Sequence, residues 1–254
     1  MTSKRMATSL FETVRRFFPT CLCAVASFSA TIAMASSASA DVFEATAGVK
    51  GFAGGNLWTT PSDGPGSDGL GFVKSGGGFG WGAGAYVEAR ALKFLGLELG
   101  VTYDKSAMHR DVTYSSVTEI REEVTMKSLR IPVLAKAIAP VPFGRLSLFL
   151  GPEFVQALSA DASLDVTSGP GAVAADTIRA AKKNSTTFTC GLGITFDLPA
   201  SLELPIELRA SKNLSQESAW RDRVEVLPPA GPYTVTAQSS WDFRLGLGLG
   251  YKFF

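Results

Sequence analysis

The stretch Ser239-Ser240-Trp241-Asp242-Phe243-Arg244-Leu245-Gly246-Leu247-Gly248-Leu249-Gly250-Tyr251-Lys252-Phe253-Phe254 decides the fold. One face of this segment reads Trp241, Phe243, Leu245, Leu247, Leu249, Tyr251, Phe253. The other reads Asp242, Arg244, Gly246, Gly248, Gly250, Lys252. A period of two is the period of a strand. A large apolar face backed by a small or charged one suits a barrel wall in lipid, with hydrocarbon on one side and a narrow polar lumen on the other.

Seven further segments alternate in the same way. Val42–Gly54 sets Phe43, Ala45, Ala47 and Val49 against Glu44, Thr46, Gly48 and Lys50. Gly77–Ala91 sets Phe79, Trp81, Ala83, Ala85, Val87 and Ala89 against Gly80, Gly82, Gly84, Tyr86, Glu88 and Arg90. Leu95–Asp104 places Leu95, Leu97, Leu99, Val101 and Tyr103 opposite Gly96, Glu98, Gly100 and Thr102. Glu123–Ile138 places Leu129, Ile131, Val133, Ala135 and Ala137 opposite Ser128, Arg130, Pro132 and Lys136, with Leu134 breaking the pattern. Arg145–Leu158, Ser185–Phe196 and Leu202–Ser211 complete the set.

The connections sort by length. Leu92–Phe94, Ala139–Gly144 and Asp197–Ser201 are short. Gly55–Gly76, Lys105–Glu122, Ser159–Asn184 and Lys212–Gln238 are long and polar. Short turns on one side and long loops on the other are the outer-membrane pattern, with both termini on the periplasmic side. Outward aromatics then fall into two belts. Phe79, Trp81, Tyr103, Phe154, Phe188, Trp241 and Phe243 lie toward the long loops, and Phe43, Phe196, Tyr251 and Phe253 toward the short turns. The expected fold is all-β: an eight-stranded antiparallel up-and-down transmembrane barrel.

Its inward face carries Glu44, Lys50, Glu88, Arg90, Glu98, Arg130, Lys136, Glu153, Glu203, Glu207, Arg209, Asp242, Arg244 and Lys252. Eight strands enclose a space just wide enough for side chains to fill. Charges at that density must pair to offset desolvation, so a plugged polar lumen is expected. A narrow porin-like channel through the charged lumen is the alternative. Pro132, Pro152 and Pro205 each remove a ladder donor, and bulges or breaks are expected there.

Ahead of the barrel, Lys4, Arg5, Arg15 and Arg16 precede an uncharged stretch from Phe17 to Ala40, and Ala38-Ser39-Ala40 is a small-x-small cleavage site. Residues 1–40 read as a signal peptide cleaved after Ala40, and 41–254 as the barrel domain. Cleavage takes away four basic residues and Glu12, moving the formal net charge from +1 to −2. It also removes Cys21 and Cys23, leaving Cys190 with no partner for a disulfide. No basic block marks a nucleic-acid partner. No mature stretch holds about 18 consecutive apolar residues, so membrane residence falls to a closed barrel.

Several phrases resemble the outer-membrane β-barrel domain family of Gram-negative bacteria, the small OmpA-type and OmpX-type barrels. They are Ser128-Leu129-Arg130-Ile131-Pro132-Val133-Leu134, Leu148-Phe149-Leu150-Gly151-Pro152-Glu153-Phe154, Glu207-Leu208-Arg209-Ala210-Ser211 and Leu245–Phe254. The resemblance covers most of 41–254. It implies residence in the outer membrane, contact with its lipids and lipopolysaccharide, and a C-terminal strand read by the barrel-assembly machinery. Arg244, Gly246, Leu249 and Tyr251 match the spacing of that signal, while Phe254 falls one residue out of register with the outward face.

Chemistry is sparse. His109 is the single histidine and falls in the second long loop, with Ser106 three before it. A lipid A-modifying barrel enzyme would need nucleophile, base and orienter together, and no His-x-Ser pair exists. The sequence names no catalytic, cofactor-binding or metal-binding residues and no cofactor. Arg221, Asp222, Arg223 and Glu225 in the fourth loop, with Arg179, Lys182 and Lys183 in the third, could meet lipopolysaccharide phosphates or a surface partner. Asp176–Lys183 is expected to form a short helix. The expected role is non-enzymatic, structural or surface-interacting.

Overall fold

A computed structural model describes residues 43–58, 72–73, 76–114, 118–168, 178–181, 184–215, 233–236 and 240–253. The proposed signal peptide, the fourth-loop charges 221–225, Lys182, Lys183 and Phe254 lie outside these residues.

Eight strands form the wall: β1 Phe43–Trp58, β2 Gly76–Ala91, β3 Leu95–Tyr114, β4 Thr118–Val141, β5 Gly144–Ser168, β6 Ser185–Asp197, β7 Leu202–Asn213 and β8 Trp241–Lys252. Each pairs antiparallel with its neighbours in sequence. The sheet closes where β1 meets β8, with Ala47 opposite Tyr251 and Val49 opposite Leu249. Closure removes both edges, which hydrocarbon does not tolerate. No helix among the described residues is long and apolar enough to cross a membrane.

Alternation holds throughout. On β8, Asp242 and Arg244 are buried while Phe243, Leu245, Leu247 and Leu249 are exposed. The two belts carry ring pairs: Trp81 with Tyr103 at 6.3 Å, Trp241 with Phe243 at 6.2 Å, and Tyr251 with Phe253 at 5.2 Å. Phe94 and Phe143 in the short turns add exposed rings to the lower belt.

Three expectations require correction. The stretches 105–122 and 159–184 are not simply loops. β3 runs to Tyr114, β4 starts at Thr118 and β5 runs to Ser168. At about 3.4 Å per residue, the 25 residues of β5 far exceed the roughly 10 a tilted strand needs to cross hydrocarbon. β6 pairs with β5 only as far as Val155, so β3, β4 and β5 extend beyond the end of β6 as a tongue, with the short strand Phe72–Val73 paired beside Val112 and Thr113 of β3. The expected helix at 176–183 is, over Ile178–Ala181, a short strand paired in parallel with Tyr233–Thr236.

Leu134 does not break the alternation; it points inward and is fully buried. At the prolines the structure shows the breaks expected there, and no bulge. The register shifts fall between Glu119 and Ile120 and between Lys127 and Ser128. Around the prolines the register is unchanged and only one side of the ladder lapses. Pro132 pairs with Glu153 on β5 but leaves a gap toward β3, and Pro205 pairs with Thr195 on β6 but leaves a gap toward β8. An N–H in a strand points to one neighbour, so a proline costs one bond on one side. Gly100 and Gly248 give the rings of Pro132 and Pro205 room.

Candidate functional site

Inward side chains from all eight strands meet along the lumen in three levels. The lowest, at the short-turn rim, centres on Glu203. Arg90 donates to both of its carboxylate oxygens, at 2.6 and 3.0 Å, and Thr46 donates at 3.2 Å. Arg145 adds an ion pair at 2.7 Å and reaches Asp197 at 3.0 Å. Arg90 also contacts Glu44 at 3.2 Å.

The middle level alternates three cations with three carboxylates. Glu98, 1% exposed, faces Lys50 and Lys136 at 2.5 Å each and Arg209 at 2.9 Å. Glu207 takes Lys50 at 2.6 Å and Arg209 at 2.5 Å, and Glu88 takes Lys136 at 2.7 Å. The upper level is built on Arg130, which donates to Asp242 at 2.8 Å and to Glu153 at 3.3 Å. Thr189 donates to Glu153 at 2.8 Å, Ser106 to Asp104 at 2.7 Å, and Arg244 to Ser106 at 3.0 Å.

Two of these contacts span the full diameter. β3 and β7 are four strands apart, and Arg209 bridges to Glu98 between them. β4 and β8 are also four apart, and Arg130 bridges to Asp242. With the half-buried Glu44 and Lys252 at the short-turn rim included, the described lumen residues carry eight cations (Lys50, Arg90, Arg130, Lys136, Arg145, Arg209, Arg244, Lys252) and eight carboxylates (Glu44, Glu88, Glu98, Asp104, Glu153, Glu203, Glu207, Asp242). Charge balance and multiple partners per group are what a desolvated network requires. Lys252 is the exception to the expected network: it is half-buried at the short-turn rim and makes no ion pair among the described residues.

Apolar and aromatic side chains fill the remaining volume. Tyr86, Leu134, Ile138, Phe149 and Val155 are buried in the lumen. Lys50 Nζ lies 4.0 Å from the centre of the Tyr86 ring, and the Arg209 guanidinium 4.4 Å from that of Phe52. Each ring is seated over glycine on a nearby strand: Tyr86 over Gly48 and Gly250, Phe52 over its cross-strand partner Gly246, and Phe149 over its partner Gly191. A Cβ at any of these positions would collide with the ring. Sequence reasoning placed Tyr86 inward but passed over Phe52 and Phe149. Their signal was the parity of the strand: both continue the inward set of β1 and β5.

His109 lies on β3 rather than in a loop, exposed, with Glu123 as its cross-strand neighbour. Ser106 is three residues away and therefore on the opposite face, buried against Asp104. The two cannot share a proton at this register. Cys190 is exposed on the outward face. Among the described residues no group of His, Cys, Asp and Glu could hold a metal ion.

No protein-family model matches the chain. No curated protein matches it in sequence. Solved structures with a similar arrangement of strands are bacterial outer-membrane barrels. The attachment invasion locus protein Ail of Yersinia pestis is 12% identical, with 83% of this chain and 99% of that chain covered and a TM-score of 0.32. Outer membrane protein OprG of Pseudomonas aeruginosa is 11% identical, covering 83% and 95%, with a TM-score of 0.34. Outer membrane protein AlkL in lipid bilayers is 11% identical, covering 84% and 91%, with a TM-score of 0.38. This chain is a closed eight-stranded antiparallel β-barrel.

Proposed function

We propose that the protein is exported by residues 1–40, resides in the outer membrane, and serves there as a non-enzymatic structural and surface-interaction protein. The observation that carries this reading is the pair of diametric bridges, Arg209 to Glu98 and Arg130 to Asp242. They fill an eight-stranded lumen at two heights, which supports a plug rather than a path. What the barrel presents outward is then its rim, and the tongue of β3, β4 and β5 is the largest described part of that rim. Outer-leaflet lipids and lipopolysaccharide are the proposed partners of its wall, and the assembly machinery that of β8.

Planar-bilayer conductance tests the plug against the channel alternative. The wild-type barrel is expected to be silent, and Glu98→Ala/Arg209→Ala to show openings because both ends of one bridge are gone. Reproducible wild-type conductance of constant amplitude sinks the plug and makes the charged levels a permeation path.

A further inference from the structure

On β3 and β4 the chemistry of the two faces reverses at one height. Below it, outward residues are apolar (Val101, Tyr103, Leu129, Ile131) and inward ones polar (Thr102, Asp104, Ser128, Arg130). From it upward, outward residues are Lys105, Lys127, Glu123 and His109 with Ala107 and Thr125 between them, and inward ones, past Ser106, are Met108, Val124 and Met126, all three buried. The reversal marks where hydrocarbon stops. Lys105 and Lys127 stand at that height and are direct cross-strand partners. Their Cβ atoms are then about 5 Å apart, and like charges so placed repel.

Nothing among the described residues relieves this. Neither lysine makes an ion pair among the described residues. The outward carboxylate of Asp161 belongs to the partner of Thr125, diagonal to Lys127, and forms no bridge with it. Lys212, at the same rim on β7, differs: it lies over the Trp241 ring at 5.6 Å. Beside Lys105 is its cross-strand partner Trp81, whose ring is 6.3 Å from that of Tyr103. Such rings sit at headgroup depth, so the two ammonium groups are held where a headgroup phosphate would be.

We propose that Lys105 and Lys127 clasp a phosphate of the outer-leaflet glycolipid, the lipid A part of lipopolysaccharide, with Trp81 and Tyr103 against its upper acyl region. An ammonium is a compact charge that serves phosphate as a point partner. One phosphate between the two lysines turns a repulsive pair into a bridged one. This rests on the reading of the long-loop rim as the outer face, and deepens the lipopolysaccharide contact proposed above.

The test is a sign reversal. In vesicles of phosphatidylcholine alone, Lys127→Gln removes repulsion and is expected to raise the thermal unfolding midpoint by about 1–3 °C. In vesicles containing lipid A it is expected to lower the midpoint relative to wild type. Lipid A retained per barrel after detergent exchange, read by native mass spectrometry, is expected to fall about fivefold per lysine removed. Lys93→Gln, in a turn at the opposite rim, should change neither. A shift of the same sign in both vesicle types overturns the clasp. An equal reversal with phosphatidylglycerol overturns the glycolipid assignment, leaving only headgroup charge. Because the conductance test uses neither lysine, loss of the clasp with a silent lumen is distinguishable from failure of the plugged-barrel reading.

Discussion

β4 and β8 begin from the same alternation and end as different objects. β8 is 12 residues long, stays within the wall, and turns Asp242 and Arg244 into the lumen. β4 is 24 residues long, and its lower half behaves as β8 does, with Arg130, Leu134 and Lys136 inward. Its upper half inverts: Val124 and Met126 are buried inward while Lys127 and Glu123 are exposed outward. The difference teaches that a strand's inside is defined by its surroundings. In lipid, the polar face must turn away from hydrocarbon toward partners across the lumen. Above the lipid, water lies outside, and the apolar face turns inward as in a soluble sheet.

The largest effect expected is in the lower regime. Glu98 balances Lys50, Lys136 and Arg209 at once. Glu98→Ala strands three buried cations around Glu207 and Glu88, and removing one member of a buried ionic group costs about 3–5 kcal/mol. Urea unfolding of the refolded barrel in vesicles measures it. Glu98→Gln, which keeps volume and hydrogen bonding, should lose less. A change below about 1 kcal/mol in Glu98→Ala would mean that the middle level tolerates charge imbalance, and the contrast between the two regimes would weaken.

The upper regime should fail separately. Val124 is fully buried and is the cross-strand partner of Met108. Val124→Asp places a carboxylate on a face whose described neighbours are the buried Met108 and Met126, at a cost of about 3 kcal/mol, and it lies on a strand that pairs with neither β8 nor β1. Amide exchange over 105–113 and 118–127 is expected to speed up roughly a hundredfold. Protection over 43–54 and 241–252 should be kept. If the whole wall loses protection together, tongue and barrel are one cooperative unit and the comparison above describes chemistry without independence.

Much of the crossing region was legible from sequence because lipid enforces one rule on every strand there. The limits of β2, β6 and β7, the closure of β8 on β1, and the inward charges all follow from period-two alternation. The tongue escaped for a physical reason: its alternation continues with reversed sign, so Lys105–Glu122 reads as polar loop when polarity is averaged. The partners within the lumen were not legible, since Arg209 and Glu98 are joined by strand stagger and not by any local pattern. At the prolines the break was legible but its side was not, since each strand residue bonds toward one neighbour and the ladder lapses there alone. His109 and Ser106 illustrate parity: three residues apart in a loop they could meet, but in β3 they face opposite ways.

The smallest effect compares the two ends of the barrel wall. The short-turn rim is tight enough to hold non-glycine residues in the left-handed region: Leu92 at φ 56° and Lys93 at φ 62°. The hairpin closes through the Phe94 N–H donating to the Ala91 carbonyl at 3.3 Å. In this three-residue connection Leu92 and Lys93 take the left-handed pair that favours Asn-Gly, and an ordinary L-residue there costs about 1 kcal/mol. Replacing Leu92-Lys93 by Asn-Gly relieves that cost at both positions. The glycine gives back part of the gain through the freedom of the unfolded chain. A net stabilisation of about 1 kcal/mol is expected, seen as slower unfolding in urea with folding-competent yield unchanged. A loss of stability would show that the exposed Leu92 side chain anchors the turn in the lower aromatic belt beside Phe94, and that this rim, like the upper one, is shaped by lipid contact before backbone preference.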